Sequence, residues 1–112
     1  MDLGLTNKVA VVTGGSRGLG FAAAQALMAE GAHVVICARG AEQLQRAVEH
    51  LRSAATAGPR VEGVVADVST EDGVRQVIGA AITSFGRLDV LVNNVGSAKG
   101  ADIESTTDAE WQ

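Results

Sequence analysis

The sequence of 112 residues has no tyrosine, one cysteine and one proline, and aromatic residues make up only 3% of it. The cysteine, Cys37, cannot form a disulfide within the chain, which is compatible with a reducing cytoplasm. No apolar run reaches the about 18 residues that are needed to cross a bilayer. The first residues, MDLGLTNK, contain neither the basic nor the apolar region of a secretory signal. These absences predict a cytoplasmic protein that has no membrane segment.

The composition is that of a globular domain with a mild acidic balance. Hydrophobic residues make up 46% of the chain, and the formal net charge is −4. A chain of this length buries roughly two thirds of its unfolded surface, which is enough for one core. Proteins that bind nucleic acid non-specifically usually carry a basic surface, so no nucleic-acid partner is predicted. Any bound anion must be held by a local group of residues.

Short apolar runs alternate with helical patterns along the chain. Four runs rich in β-branched residues are typical of strands buried on both faces: residues 9–13, 33–38, 61–68 and 88–94. Three stretches with helix-forming composition or helical spacing lie between them: residues 21–31, 44–51 and 74–85. The alternation predicts the α/β class, with a doubly wound parallel sheet and right-handed crossovers.

The third helical stretch has the clearest pattern. Its apolar residues follow helical spacing and predict a single apolar stripe: Val74, Val77, Ile78, Ala81, Ile82 and Phe85. Ser69 and Asp72 have the spacing of a capping box, which predicts that Ser69 caps the start of this helix. Gly86 is placed to end it.

The last residues predict an incomplete domain. Thr107 and Glu110 have the spacing of a capping box, so a helix is expected to begin near Asp108, yet the sequence stops at Gln112. The fourth predicted strand is also too apolar for an exposed sheet edge. We therefore expect the sequence to stop in the middle of a domain, of which only the first four strands are present.

The stretch TGGSRGLG, residues 13–20, joins the first strand to the first helix and predicts a phosphate-binding loop. Gly14 permits the turn that leaves the strand, while Gly18 and Gly20 lack Cβ atoms where a pyrophosphate approaches and where the helix packs. The start of the helix also presents free N–H groups to an anion. No GK[ST] sequence follows, so this is not the loop of a nucleoside triphosphatase. The alternative is a glycine-rich turn that binds no ligand.

Three motifs carry a resemblance to a known family. TGGSRGLG resembles the T-G-x-x-x-G-x-G motif of short-chain dehydrogenases/reductases. The sequence DV at 67–68 resembles the aspartate–hydrophobic pair of that family, and NNVG at 93–96 resembles its N-N-A-G motif with Val95 in place of alanine. As a whole, the sequence is similar to those of 3-oxoacyl-carrier-protein reductases.

The resemblance implies that residues 1–112 are the N-terminal part of a single Rossmann-type dinucleotide-binding domain, truncated before its catalytic half. It also implies a cofactor site at the ends of successive strands. It is expected to include the following residues: Gly14, Gly15, Ser16, Arg17, Gly18, Leu19, Gly20, Ala38, Arg39, Asp67, Val68, Asn94, Val95 and Gly96.

Within that set, residues 14–19 would line the pyrophosphate and its ribose. The Asp67 carboxylate would accept a hydrogen bond from the adenine amino group, and the main chain of Val68 would contact the ring. Residues 94 and 96 would lie beside the nicotinamide ribose, with Asn93 bracing the strand. Two alternatives stay open: Asp67 is a solvated or helix-capping carboxylate, and the paired asparagines form a turn that satisfies its own backbone.

The end of the second strand bears on the choice of nicotinamide cofactor. Family members that use NAD place an acidic residue there, whereas this chain has Ala38 followed by Arg39. A carboxylate would repel a 2′-phosphate, but a guanidinium pairs with it. Arg17 could approach the same phosphate from the glycine loop. The sequence predicts NADP(H) rather than NAD(H). The alternative for either arginine is that it is simply solvated.

The family transfers hydride between this cofactor and a small-molecule carbonyl or alcohol, with the tyrosine of a Y-x-x-x-K motif as general acid. The chain has no tyrosine, and neither of its lysines, Lys8 and Lys99, lies in such a motif, so no catalytic residue is predicted in these 112 residues. His33 and His50 have no matching ligands, so no metal site is predicted. Cys37 is interpreted as a small core residue.

Two functions remain open from the sequence. In the first, the chain is the NADP(H)-binding portion of an oxidoreductase and is inactive alone, and the parent is a homo-oligomer or associates with the missing C-terminal part. In the second, it is a non-catalytic nucleotide-binding or interaction module that needs a partner chain.

Overall fold

A computed structural model describes residues 4–14, 18–54 and 58–93. Strands and helices alternate in the predicted order: β1 Val9–Thr13, α1 Gly18–Ala29, β2 His33–Ala38, α2 Ala41–Ala54, β3 Val61–Val65, α3 Glu71–Phe85 and β4 Val90–Val92. The first two strands have the predicted bounds. No helix in these three ranges is long and apolar enough to cross a membrane.

The four strands form one parallel sheet in the order β3-β2-β1-β4. The chain moves outward from β1 through β2 to β3, and then returns past β1 to place β4 on its other side. In the register, Val9 lies opposite His33, and Ala10 lies opposite Val90. The direction of winding reverses between β1 and β4, and open sheets of this kind bind ligands beside such a reversal.

Helices cover both faces of the sheet, as the doubly wound prediction requires. Alternate residues of β1 point to opposite faces. Ala10 and Val12 pack with buried residues of α1 and α2, while Val9 and Val11 pack with Val77 and others on α3. All five residues of β1 are buried, so the strand that precedes the glycine loop is the rigid centre of the domain.

The predicted ends of the third and fourth strands were wrong. β3 ends at Val65, and Asp67 lies in the turn that follows, where its side chain accepts a hydrogen bond from the Ser69 N–H. β4 contains only residues 90–92 of the predicted 88–94 and is an outer strand of the described sheet, with Leu91 53% exposed.

The start of α3 also differs from the prediction. Thr70, not Ser69, is its N-cap: the Thr70 backbone is extended, and its Oγ1 accepts a hydrogen bond of 2.9 Å from the Gly73 N–H. Ser69 is turned to Asp67 instead. Gly86 ends the helix as predicted, with a left-handed φ of 80° and an N–H that donates to the Ile82 carbonyl.

The predicted apolar stripe of α3 is only partly buried. Val77 and Ala81 are fully covered by the sheet, and Phe85 packs at the edge of the same cluster. Three stripe residues are exposed to solvent in the structure: Val74, Ile78 and Ile82. In α2, by contrast, the residues with apolar spacing are all buried: Leu44, Ala47, Val48 and Leu51.

Candidate functional site

The predicted site residues that the structure describes lie at one edge of the sheet. Because all four strands are parallel, their carboxyl ends meet there, and each leads into a turn. Gly14 follows β1, Arg39 follows β2, Asp67 follows β3 and Asn93 follows β4. Residues 15–17 and 94–96 belong to the same predicted site but lie outside the described residues.

The glycine loop leaves β1 in backbone conformations that favour glycine. Gly14 and Gly18 have φ values of 66° and 65°, which L side chains rarely adopt. The Gly14 N–H donates to the Cys37 carbonyl at 3.0 Å and holds the start of the loop against β2. A Cβ at Gly18 would meet no atom of the described residues within 4 Å. The backbone at the start of α1 is therefore open to the approach of a ligand.

Of the two residues that follow Gly18, one faces solvent and the other faces the core. Leu19 is 79% exposed, whereas Gly20 is buried where α1 packs on the sheet. The N-terminus of a helix is a place where anions are often bound in proteins.

Thr13 is a member of this edge that the sequence prediction missed. It is buried, and its Oγ1 lies 3.0 Å from Asn93 Oδ1 and 3.3 Å from the Val92 carbonyl oxygen. The hydroxyl therefore ties the carboxyl ends of β1 and β4 together where the winding reverses. The available signal was a single polar residue that ends an otherwise apolar strand, directly before the glycines.

The end of β2 presents a basic side chain. The side chain of Ala38 is apolar and packs on the core, and its carbonyl accepts the Ala66 N–H at 3.0 Å. Arg39 is exposed and forms no hydrogen bond or ion pair with another described residue. Its positive charge contributes to lowering the pKa of Asp67.

Asp67 is held by the turn after β3. Its Oδ1 accepts two hydrogen bonds from Ser69, one from the hydroxyl at 2.6 Å and one from the N–H at 2.9 Å. The Ser69 hydroxyl is the main cause that lowers the pKa of Asp67, so this carboxyl is ionised at neutral pH. Since Thr70 caps α3, Asp67 is not the helix cap. The side chain of Val68 packs on the core beneath α3.

The cysteine and the two histidines of the chain pack against other residues of the fold. Cys37 is buried in β2, and burial raises the pKa of its thiol, as expected for a core residue. His33 stacks on Phe85 with ring centroids 5.1 Å apart, and His50 meets the Phe21 ring edge-on at 5.3 Å. Within the described ranges, no three histidine, cysteine or acidic residues are grouped as metal ligands.

Residues 8–112 match the family described as short chain dehydrogenase. The chain belongs to that family. Its relatives include a rhamnolipid-biosynthesis 3-oxoacyl-[acyl-carrier-protein] reductase from Pseudomonas aeruginosa, which is 41% identical over 108 residues, or 96% of this chain and 41% of the relative. An uncharacterized oxidoreductase from Mycobacterium tuberculosis is 42% identical over 92% of this chain and 38% of its own length.

Solved structures of short-chain dehydrogenases have the same fold. The L-sorbose reductase of Gluconobacter frateurii, solved with NADPH and L-sorbose, matches with a TM-score of 0.82 and 41% identity over 99% of this chain and 41% of that one. A family member from Burkholderia phymatum, solved with NAD, matches with a TM-score of 0.71 and 36% identity over 78% of this chain and 30% of that one.

These comparisons confirm the Rossmann-type fold and the oxidoreductase family that the three motifs indicated. The resemblance to 3-oxoacyl-carrier-protein reductases is also confirmed, since one such enzyme is among the relatives. The chain spans about two fifths of the length of the curated relatives that it matches.

Proposed function

We propose that the chain forms the NADP(H)-binding part of a short-chain oxidoreductase that transfers hydride between this cofactor and a carbonyl or alcohol substrate. The observation that carries the proposal is Arg39, an exposed guanidinium directly after β2. When bound, the nicotinamide ring supplies or accepts the hydride. The residues of this chain hold and orient the cofactor.

The edge of the sheet fits a dinucleotide from one end to the other. The open backbone at Gly18 and the N-terminus of α1 suit the pyrophosphate. Asp67, an ionised acceptor one strand further out than Arg39, suits the amino group of adenine. The Thr13–Asn93 hydrogen bond fixes the β1–β4 end of the same edge, on the side where the nicotinamide ribose is proposed to lie.

The choice of NADP(H) over NAD(H) rests on charge. An acidic residue at the end of β2 would accept hydrogen bonds from the ribose hydroxyls of NAD. In this chain the last residue of β2 is Ala38, and Arg39 follows it. A guanidinium donates two parallel hydrogen bonds to a phosphate and neutralises its charge. Structural relatives have been solved with either cofactor, so membership of the family does not decide between them, and the proposed preference rests on the residues at this strand end.

The chemical step requires residues that the chain does not contain. The sequence has no tyrosine to serve as the general acid of the family. We therefore propose that residues 1–112 form the N-terminal part of one Rossmann-type domain and that the acid is supplied from outside them. Alone, these residues would bind cofactor weakly and show no reductase turnover, so a soluble monomer with robust turnover would contradict the proposal.

Titration calorimetry of the complete protein with NADPH and with NADH tests the cofactor assignment. We expect NADPH to bind more tightly, and Arg39→Ala to weaken NADPH binding by about 10- to 100-fold through the loss of charged hydrogen bonds to the 2′-phosphate. NADH binding should change little. Arg46→Ala, which removes an exposed arginine from α2, is the matched control. A preference for NADH that survives Arg39→Ala would contradict the assignment.

A further inference from the structure

We propose that Ser69 is a positioning residue that presents Asp67 to the adenine base and thereby sets the preference of the site for adenine over a 6-oxopurine. The inference rests on the proposed dinucleotide function and adds a residue outside the three motifs that indicated it. Ser69 lies two positions after Asp67, in the turn between β3 and α3.

The contacts of Ser69 are directed to a single carboxylate oxygen. Its hydroxyl and its N–H both donate to Asp67 Oδ1, at 2.6 Å and 2.9 Å. An isolated surface aspartate would rotate about its side-chain bonds, and two donors on one oxygen remove that freedom. The other oxygen, Oδ2, receives no hydrogen bond from a described residue, so one acceptor is fixed in place and still available.

The backbone of Asp67 is anchored as firmly as its side chain. Its carbonyl accepts hydrogen bonds from the Thr70 hydroxyl at 2.8 Å and from the Thr70 N–H at 3.1 Å. Gly73, in the first turn of α3, packs so closely that a Cβ there would overlap the Asp67 carbonyl oxygen. The start of α3 therefore fixes the position of Asp67, and Ser69 fixes the orientation of its carboxylate.

A fixed, ionised carboxylate discriminates between purines by hydrogen bonding. It can only accept, and adenine presents an amino donor at position 6. Hypoxanthine presents a carbonyl oxygen at the same position, which would face the carboxylate without a proton between them. A freely rotating Asp67 could turn away from that oxygen, so the discrimination depends on Ser69. The Arg39 charge favours the ionised form and acts in the same direction.

The test compares NADPH with its hypoxanthine analogue, in which a carbonyl replaces the adenine amino group. Their dissociation constants are measured by calorimetry on the complete protein and on variants. Because both ligands bind the same protein sample, a general loss of stability cancels in the ratio of the two constants. We expect the original protein to favour NADPH by about tenfold, the value of one hydrogen bond to a charged group.

The variants separate positioning from folding. We expect Ser69→Ala, which keeps the N–H but loses the hydroxyl, to lower the ratio to about threefold, and Ser69→Thr to restore it. Asp67→Asn should bring the ratio close to one. Ser53→Ala removes a serine hydroxyl that donates to the His50 carbonyl on α2, and this matched control should leave the ratio unchanged.

The outcomes distinguish this inference from the function on which it rests. If Asp67→Asn abolishes the preference for adenine and Ser69→Ala retains it in full, the role of Ser69 is wrong and the dinucleotide site stands. If the original protein binds neither ligand, the proposed function itself is wrong. A ratio that falls in Ser69→Ala and returns in Ser69→Thr supports the positioning role.

Discussion

The two edges of the sheet are built differently. At the carboxyl edge, the loop after β1 contains glycines with left-handed φ values. An exposed arginine follows β2, and a carboxylate with one available oxygen follows β3. At the amino edge, side chains form hydrogen bonds and pack against one another. Asp89 Oδ2 accepts the Val9 N–H at 2.9 Å and the Arg87 Nε–H at 2.8 Å, and the Asp89 N–H donates to the Val9 carbonyl.

A second group of side chains at the amino edge lies at the starts of β2 and β3. The His33 ring stacks nearly parallel to Phe85, and the Arg60 guanidinium lies 5.6 Å from the centre of the same Phe85 ring. The Arg60 N–H donates to His33 Nδ1 at 3.1 Å. These contacts join the starts of two strands to the end of α3, and they use groups that could otherwise bind a ligand.

The two edges differ in how far their polar groups are occupied by one another. Polar groups at the amino edge are occupied by one another, so that edge contributes to folding and has little to offer a dinucleotide. Polar groups at the carboxyl edge are fixed in position but only partly occupied, as a preorganised site requires. Gly73 and Thr70, at the carboxyl edge, contribute in both ways, because they form the start of α3 and also position Asp67.

The largest effect is expected from Gly73→Ala. A Cβ at this position overlaps a backbone carbonyl, which cannot rotate away as a side chain could, so we expect a loss of about 3 kcal/mol of unfolding free energy. Chemical denaturation measures it. Gly79→Ala, on the same helix with no atom within 4 Å of the added Cβ, should instead stabilise the protein by up to about 1 kcal/mol. Equal losses in both variants would contradict the packing described here.

Asp89→Ala should break the amino edge without affecting the carboxyl edge. The N–H of Val9, a residue that is 1% exposed, is left without its acceptor. We therefore expect a loss of stability that is smaller than that of Gly73→Ala and larger than that of Thr70→Ala. Asp89→Asn keeps an acceptor and should lose less. NADPH affinity should be unchanged in both variants, and a large loss of affinity would mean that the two edges are not independent.

Thr70→Ala should cost about 1 kcal/mol, the usual effect of removing a helix N-cap. Thermal and chemical unfolding measure it. The Thr70 hydroxyl also holds the Asp67 carbonyl, so a modest decrease in NADPH affinity should accompany the loss. Thr70→Ser keeps the hydroxyl and should preserve both properties, and a Ser variant as weak as the Ala variant would argue against the cap.

The smallest expected effect is the pH dependence of stability that the two aspartates cause, which is absent near neutrality and develops in acid. Arg87 chiefly, with the Val9 N–H, lowers the pKa of Asp89 below its ordinary value of 3.8, and Ser69 does the same for Asp67. As pH falls, the unfolded chain takes up these protons first. The stabilisation is therefore present above pH 3.8 and is lost as pH falls through the lowered values.

Denaturation at a series of pH values measures this dependence. We expect a flat profile near neutrality and a decline below about pH 4, with a shallower decline in Asp89→Ala. A decline of the same steepness in the variant would show that Asp89 has no part in it.

The sequence predicted the features that depend on local pattern. The bounds of β1 and β2, the helix end at Gly86 and the glycines of the loop follow from residue types that have few alternatives. The cap of α3 could not be predicted, because Ser69 and Thr70 are both good caps and only the tertiary turn decides between them. The bond between Thr13 and Asn93 joins residues 80 positions apart, and pattern alone does not reveal such a pair.

Amide hydrogen exchange of the complete protein, with and without saturating NADPH, tests whether the cofactor binds at the carboxyl edge of the sheet. We expect added protection at the carboxyl edge, in the segments that contain Gly14, Gly18, Arg39 and Asp67. The amino-edge segments around Lys8, His33 and Asp89 should exchange as before. Protection confined to the amino edge, or no protection under conditions where NADPH is bound, would contradict the account.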